Sequence, residues 1–336
     1  MYDVICAGSA TVDVFARTKS SELIKIFDKK GETDLLAYPV GSKILIEELN
    51  FTTGGGGTNT AVALARLGHK VAWLGKLGND DNAGLVASDL KKEKIDMLAV
   101  KGKTPTGYSI ILDSIEHDRT ILAYKGANDF LDFGEIPLKK LKTKWFYFSS
   151  MLNRSFETLK QLAKFAQKNN IKIAFNTSTY LAEKGASYLH DILKRTEIFI
   201  LNKEEAGFLV DGKNIDALLA GLRKLGPRIV VVTDGKRGAS AFDGEYVYST
   251  QANRIKVVET TGAGDAFASS FLSGIIKRND IKFAMQLGQA NAESVIQSHG
   301  AKTGLLKYSE ASGIIKKKRE KVVKKKCGVA KKIRLP

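Results

Sequence analysis

Cysteine is nearly absent from this chain. Only Cys6 and Cys327 occur, they form no spaced cluster, and so neither a disulfide framework nor a cysteine zinc site is available. There is no N-terminal signal pattern and no apolar run of membrane-spanning length, which makes the cytoplasm the expected location and excludes a membrane span. Internal repeats are missing too. So are the common nucleotide motifs: Gly102-Lys-Thr104 imitates the end of a P-loop, but the earlier glycine that loop requires is Met97. Neither glycine cluster of the chain has the G-x-G-x-x-G spacing, which argues against a dinucleotide oxidoreductase.

What is present begins with Glu259-Thr-Thr-Gly262-Ala-Gly264-Asp265-Ala-Phe267. Phe267, Phe271, Leu272 and Ile275 recur at helical spacing, so a helix should start at about Gly262 and present the unpaired N–H groups of Gly262, Ala263, Gly264 and Asp265. A helix start carries about half a unit of positive charge, and residues without side chains let a phosphate reach the backbone. Like charges repel, so a carboxylate beside an anion hole needs another reason to be there. Asp265 can serve as a general base for an attacking hydroxyl while the amides stabilise the transferred group. Read alone, it is equally a first-turn acid favoured by the helix dipole.

A second cluster, Thr53-Gly54-Gly55-Gly56-Gly57-Thr58-Asn59, opens another helix patterned by Ala61, Leu64, Ala65 and Leu67 and stopped by Gly68. Successive glycines cost chain entropy and are kept where side chains would block a ligand or where positive φ is required. Together the two segments resemble the paired signatures of the PfkB, or ribokinase-like, sugar kinases, and the likeness runs from about Tyr2 to Leu306.

The resemblance implies an α/β three-layer sandwich with a mostly parallel central sheet and a small β lid. The core is expected at 1–16, 52–102 and 125–310, with the lid at 17–51 and 103–124. It implies ATP and Mg2+ as cofactors, Asp265 as base, and Gly262, Ala263 and Gly264 as the anion hole. Asn202-Lys-Glu-Glu205 matches the N-x-x-E element that organises magnesium through water, with Glu205 as the metal-facing acid; by itself it reads as a helix cap with surface acids. Thr233, Gly235 and Gly238 correspond to a nucleotide-holding turn, and Gln289 and Asn291 to the adenine wall. Asp13, at the end of the first core strand, is the substrate anchor, with Gly55, Gly56 and Asn59 beside it. Gly126-Ala-Asn128 would form part of the hinge and substrate rim.

Three departures from the family pattern bear on substrate and ion. Thr11 stands where Asn is usual, Gly56 where Lys is usual, and Glu259 where an Asp often helps hold potassium, so K+ dependence stays open.

The remaining pattern agrees with that fold. Strands at 146–148, 172–175, 198–201 and 229–232 alternate with helical stretches at 156–167 and 217–225, which implies βαβ units with ligands at the carboxyl ends of the strands. Lys43–Ile46 and Tyr108–Leu112 read as lid strands that would exclude water from the reaction. Exposed lid strands invite pairing, so a homodimer through the lid is expected.

Charge is uneven. Beyond residue 315, nine Lys and two Arg against Glu320 hold +10 of the formal +17. Residues 311–336 therefore read as a flexible basic tail, solubilising or in weak contact with a polyanion.

The sequence reading is thus an ATP-dependent kinase acting on a primary hydroxyl of a ribose- or fructose-like sugar. A nucleoside kinase of the same fold is the alternative, Phe15, Tyr38, Phe51 or Tyr108 being the residues that could line a base slot. A non-catalytic sugar-binding protein that uses its tail for partners is the third reading, and an intact Asp265 weighs against it.

Overall fold

The computed structural model describes residues 1–19, 21–28, 31–113, 119–318 and 321–328. The chain opens with β1 (Tyr2–Ala7), β2 (Thr11–Arg17), β3 (Glu22–Asp28), β4 (Gly31–Ala37) and β5 (Glu48–Gly54). α1 (Gly56–Arg66), β6 (Val71–Leu74), β7 (Lys76–Leu77), α2 (Asp81–Lys92), β8 (Asp96–Met97) and β9 (Val100–Lys101) follow. After β10 (Gly107–Asp113) and β11 (Arg119–Tyr124), the alternation becomes regular. It runs β12 (Thr143–Phe148), α3 (Asn153–Lys168), β13 (Lys172–Asn176), α4 (Thr179–Ala182), α5 (Ala186–Leu193), β14 (Ile198–Asn202), α6 (Lys203–Leu209), α7 (Ile215–Lys224) and β15 (Ile229–Thr233). The chain closes with β16 (Ala239–Phe242), β17 (Tyr246–Thr250), α8 (Ala263–Arg278), α9 (Ile281–Val295), α10 (Tyr308–Lys318) and β18 (Val323–Lys326).

Among the described residues the largest sheet has the order β18-β17-β16-β15-β14-β13-β12-β1-β6-β8. From β8 to β15 its neighbours pair parallel, and β16, β17 and β18 are added antiparallel. Both faces are buried, and strand alternation sends successive side chains to opposite layers. Phe146 and Phe148 pack with Phe156, Leu159 and Leu162 of α3, whereas Trp145 and Tyr147 pack with α1, α8 and α9 residues such as Leu64, Phe271 and Met285. This is the expected three-layer arrangement.

The lid sheet has the order β11-β10-β2-β5, and the hairpin β3–β4 stands apart from it. Two expectations change here. The lid takes in Thr11–Arg17, because β2 leaves the core after Ala10 and pairs with β5 and β10 in place of any core strand. Lys43–Ile46 forms no strand; its apolar side chains find no buried face, and Leu45 and Ile46 are exposed.

The tail also differs from expectation where it is described. Instead of a flexible segment from 311 onward, α10 continues to Lys318 and β18 pairs antiparallel with β17. Lys325 forms an ion pair with Asp216 at 2.8 Å, and the Lys324 ammonium lies 3.7 Å from the Tyr246 ring centroid. Part of the basic charge is therefore spent within the fold. Residues 319, 320 and 329–336 of that segment lie outside the described residues. Both cysteines are free and buried, and among the described residues no helix is long and apolar enough to cross a membrane.

Candidate active site

The two glycine segments meet. Backbone amides of Gly57 and Thr58 donate to Ser9 O at 3.0 and 3.3 Å, so the start of α1 is tied to the turn between β1 and β2. From α1, Asn59 Nδ2 donates to Asp265 Oδ2 of α8 at 2.9 Å. Asn59 is buried, and its Oδ1 has no protein partner. Gly54 permits a close approach that any side chain would forbid, since a Cβ there would lie 1.8 Å from Asp13 Oδ2. A Cβ on Gly56 would lie 3.1 Å from Ser149 Oγ and 3.5 Å from Asp265 Oδ1, so the free carboxylate oxygen of Asp265 faces the glycine loop.

α8 begins at Ala263, one residue later than the spacing predicts, because Gly262 is its left-handed N-cap with φ 79°. Only glycine fits: a Cβ at Gly262 would lie 2.5 Å from Ala301 Cβ. Nothing crowds the Cβ position of Gly264. The Ala263 amide makes a long bond to Thr260 O at 3.4 Å, and the first turn carries no side-chain cap. Burial pushes the Asp265 carboxyl above the ordinary aspartate range, while the Asn59 hydrogen bond and the Lys302 charge pull it down.

At the carboxyl ends of the central strands a groove of about 210 Å³ is lined by Asn176, Thr177, Asn202, Glu205, Thr233, Gly262, Gly264 and Asp265, with Ile200 and Leu201 beneath. Asn202 and Glu205 form a reciprocal cap of α6: Asn202 Oδ1 accepts from Glu205 N at 2.8 Å, and Asn202 N donates to Glu205 Oε2 at 3.0 Å. The cap reading of the N-x-x-E element therefore holds, except that Glu205 is buried in the groove wall where that reading expects a surface acid. Burial raises the Glu205 carboxyl, the Asn202 amide and the Thr179 hydroxyl offset part of that, and among the described residues no cation pairs with it. No group of three or more His, Cys, Asp or Glu gathers among the described residues in the manner of an all-protein metal cage.

Asp13 sits on the lid sheet between Ser109 and Thr52 and is hydrogen-bonded by the Ser109 and Thr11 side chains. Burial raises its carboxyl as well. Gly55, with φ 93°, packs on Ser9 and Ala10 at the same corner.

Other expected contacts lie away from the groove lining. Gly235 and Gly238 flank the turn after β15, where Gly238 is needed because a Cβ would meet Thr250 O at 2.1 Å. Gln289 donates to Gln251 O and Glu293 Oε1, leaving its own Oε1 buried and free. Asn291 is fully buried with both ends used, Nδ2 on Ser270 Oγ and Oδ1 on Leu306 N, so the structure does not bring it to the groove. Glu259 Oε2 accepts from Gly300 N at 2.8 Å and braces the loop that carries Ala301.

Four groups escaped the sequence reading. Asn176 ends β13 and Thr177 follows it, a position that strand-end logic points to. Ser149, at the end of β12, has a buried hydroxyl without a partner. Lys302 is buried, and its Nζ lies 2.8 Å from both Asp89 Oδ2 and Thr53 Oγ1, which joins α2, β5 and the 300–303 loop. Burial lowers the Lys302 ammonium pKa, and its charge reaches Asp13 and Asp265. It borders a second cleft of about 360 Å³ between β5 and α2, which contains none of the groove residues.

Such a sheet, lid and glycine-lined carboxyl edge define a ribokinase-like α/β fold. Two solved structures share it: a nucleoside kinase from Methanocaldococcus jannaschii (TM-score 0.77, 21% identity, 94% of this chain and 99% of that one) and an Arabidopsis thaliana ribokinase complexed with ribose and ATP (TM-score 0.77, 19% identity, 94% and 99%). Residues 21–307 match the pfkB family of carbohydrate kinases, and the chain belongs to that family. Its sequence is 29% identical over 328 residues to a 5-dehydro-2-deoxygluconokinase of Clostridium perfringens, covering 88% of this chain and 96% of that protein. The protein is a carbohydrate kinase, a phosphotransferase with an alcohol acceptor.

Proposed function

We propose that this kinase transfers the γ-phosphoryl group of ATP to a primary hydroxyl of a sugar, with Asp265 as general base and the amides of Gly262, Ala263 and Gly264 as anion hole. The observation that carries this reading is the 2.9 Å hydrogen bond from Asn59 to Asp265, which brings both glycine segments to one end of the groove. Asn59 holds Oδ2, and Oδ1 is left toward Gly56 to accept the acceptor's proton. Asp13 and the buried, unpaired Oδ1 of Asn59 orient the other hydroxyls. The first turn of α8 supplies bare amides where negative charge develops.

The groove fits a magnesium-bound nucleotide. A buried carboxylate such as Glu205, with no cation partner among the described residues, is eased by a nearby cation, and Asn202, Thr233 and the α8 amides offer the polar contacts a polyphosphate takes. When bound, magnesium-ATP supplies the transferable phosphoryl group and neutralises its charge. Gly235, Gly238 and Gln289, whose Oε1 is free, support a nucleotide wall beyond the groove. Glu259 is the candidate to help hold potassium, which a KCl titration of turnover tests.

Pairing of two chains through the lid is supported by Phe51, Val14, Ile110 and Leu122, which lie in one apolar row across the lid sheet. Three of the four are exposed.

The test is acceptor-dependent ATP consumption over pentoses, hexoses, 5-dehydro-2-deoxygluconate and nucleosides, repeated with Asp265→Asn. Turnover should fall at least about a hundredfold while ATP binding and folding persist. An undiminished rate removes Asp265 from the mechanism, and a response to nucleosides alone replaces the sugar with a nucleoside.

A further inference from the structure

Lys125 follows β11 and opens the short turn Gly126–Asp129. Its neighbour Tyr124 stands across β10 and β2 from Tyr108 and Val12, one residue from Asp13. The turn is fixed to the root of β2 by Asn128, whose Oδ1 accepts from Ala10 N at 2.9 Å and whose Nδ2 donates to Ala10 O at 2.8 Å. From this backbone position the Lys125 ammonium is near enough to feel the charges of Asp13 and Asp129.

The Lys125 side chain also meets α4. Its Tyr180 ring centroid lies 4.6 Å from Lys125 Nζ, and its Thr179 hydroxyl hydrogen-bonds Glu205. Asn176 and Thr177 of the groove come just before it. The Lys125–Tyr180 contact therefore spans from the lid to the wall shared with the groove.

Other buried lysines of this protein have close partners. Lys76 meets Glu135 at 2.6 Å and Lys302 meets Asp89 at 2.8 Å. Lys125 is partly buried, yet among the described residues no carboxylate comes within ion-pair distance of it, and the charges of Asp129 and Asp13 act only from further away. Burial accordingly pushes its pKa down. A desolvated cation is costly without a counterion, and one aromatic ring recovers only part of that cost. An anionic group on the ligand would complete the pair.

We propose that Lys125, with Tyr180 beside it, receives a carboxylate of the acceptor, so that the preferred substrates are sugar acids whose far end presents the hydroxyl to Asp265. The inference rests on the kinase reading and adds the charge of the substrate. Asp13 remains the partner of neutral hydroxyls, and the ammonium separates acids from the parent sugars. A nucleoside offers no negative group to this position.

The experiment compares matched acceptors, D-gluconate with D-glucose and D-ribonate with D-ribose, in the parent protein, Lys125→Met and Lys125→Arg. Coupled ATP consumption and calorimetric titration of each acid are read together, and melting curves verify the fold of each variant. The wild type should favour the acid by at least tenfold in kcat/KM, mainly through KM. Lys125→Met should lose at least tenfold of that preference, and Lys125→Arg should restore most of it. Equal use of acids and neutral sugars, or a preference untouched in Lys125→Met, overturns the inference. Turnover of neutral sugars alone sinks the carboxylate site and leaves the kinase reading standing. Calorimetric binding of gluconate that depends on Lys125, without turnover of any acceptor, upholds the site and sinks the kinase reading.

Discussion

Asn59 and Asp265 stand 206 residues apart in sequence and share one hydrogen bond, Nδ2 to Oδ2 at 2.9 Å. It stabilises the ionised carboxylate and fixes which oxygen is free. Replacing Asn59 by Ala should therefore lower kcat by about ten- to a hundredfold. The same change should move the acidic limb of the pH–rate profile upward, since a lowering influence on the Asp265 carboxyl is lost. Steady-state kinetics from pH 5 to 8 check both effects.

Lys302→Met tests the charge behind the site. With the ammonium gone, Asp89 keeps Thr53 but loses its cation, and a broken partly buried pair of this kind costs about 3 kcal/mol. Urea melts measure that loss. Asp265 and Asp13 also lose the positive charge that lowers their carboxyls, so the acidic limb should shift to higher pH. A profile unchanged in position shows that Lys302 acts on structure alone.

Gly262→Ala places a methyl where Ala301 already lies and forces a left-handed φ of 79° on a residue with a Cβ. The backbone strain alone is about 1–3 kcal/mol. Relief by shifting the start of α8 would disturb the amides, so kcat should fall along with the melting temperature.

His69 couples stability to pH. Its Nε2 lies 2.7 Å from Ser273 Oγ, and burial brings its pKa down from 6.5 to about 4. The unfolded chain thus binds a proton that the folded protein refuses between these values, and stability should rise with pH through that window. The contribution is about 3 kcal/mol, present above 6.5 and lost on acidification towards 4. The raised carboxyls of Asp265, Asp13 and Glu205 act in the opposite sense, so the clean measurement is the difference between the protein and His69→Gln in urea melts at pH 7 and pH 5.

Leu122→Glu should separate lid-paired chains. It puts a charge in the exposed row with Ile110 and Phe51, and sedimentation velocity should show a dimer in the parent protein and a monomer in the variant. A monomeric parent removes the pairing.

Much of this arrangement was legible because it is periodic or local. Runs such as Ile229–Val232 and Ile198–Leu201 have the continuous apolar content of doubly covered parallel strands, and glycines before a patterned helix mark Gly262 to Asp265. Pairing partners were less visible. Thr11–Arg17 reads equally well as a core or a lid strand until β5 and β10 claim it, and Lys43–Ile46 has strand-like residues with no neighbouring strand to join. Asn291 lies on the predicted helix, but which of its faces meets the ligand depends on how α9 packs on α8. Lys125 and Lys302 are single lysines in unpatterned segments, and only burial distinguishes them from the many solvated ones.

Among the described residues the strand Val323–Lys326 ends the large sheet with Lys324, Lys325 and Lys326. Any open sheet border offers its unused backbone groups to a stray strand from another molecule. Here the border is fenced by like charges, so two such borders repel on approach. A chain trimmed before Val323 would uncover β17 with its Tyr246, Val247 and Tyr248, and self-association should then set in at protein concentrations the untrimmed chain tolerates.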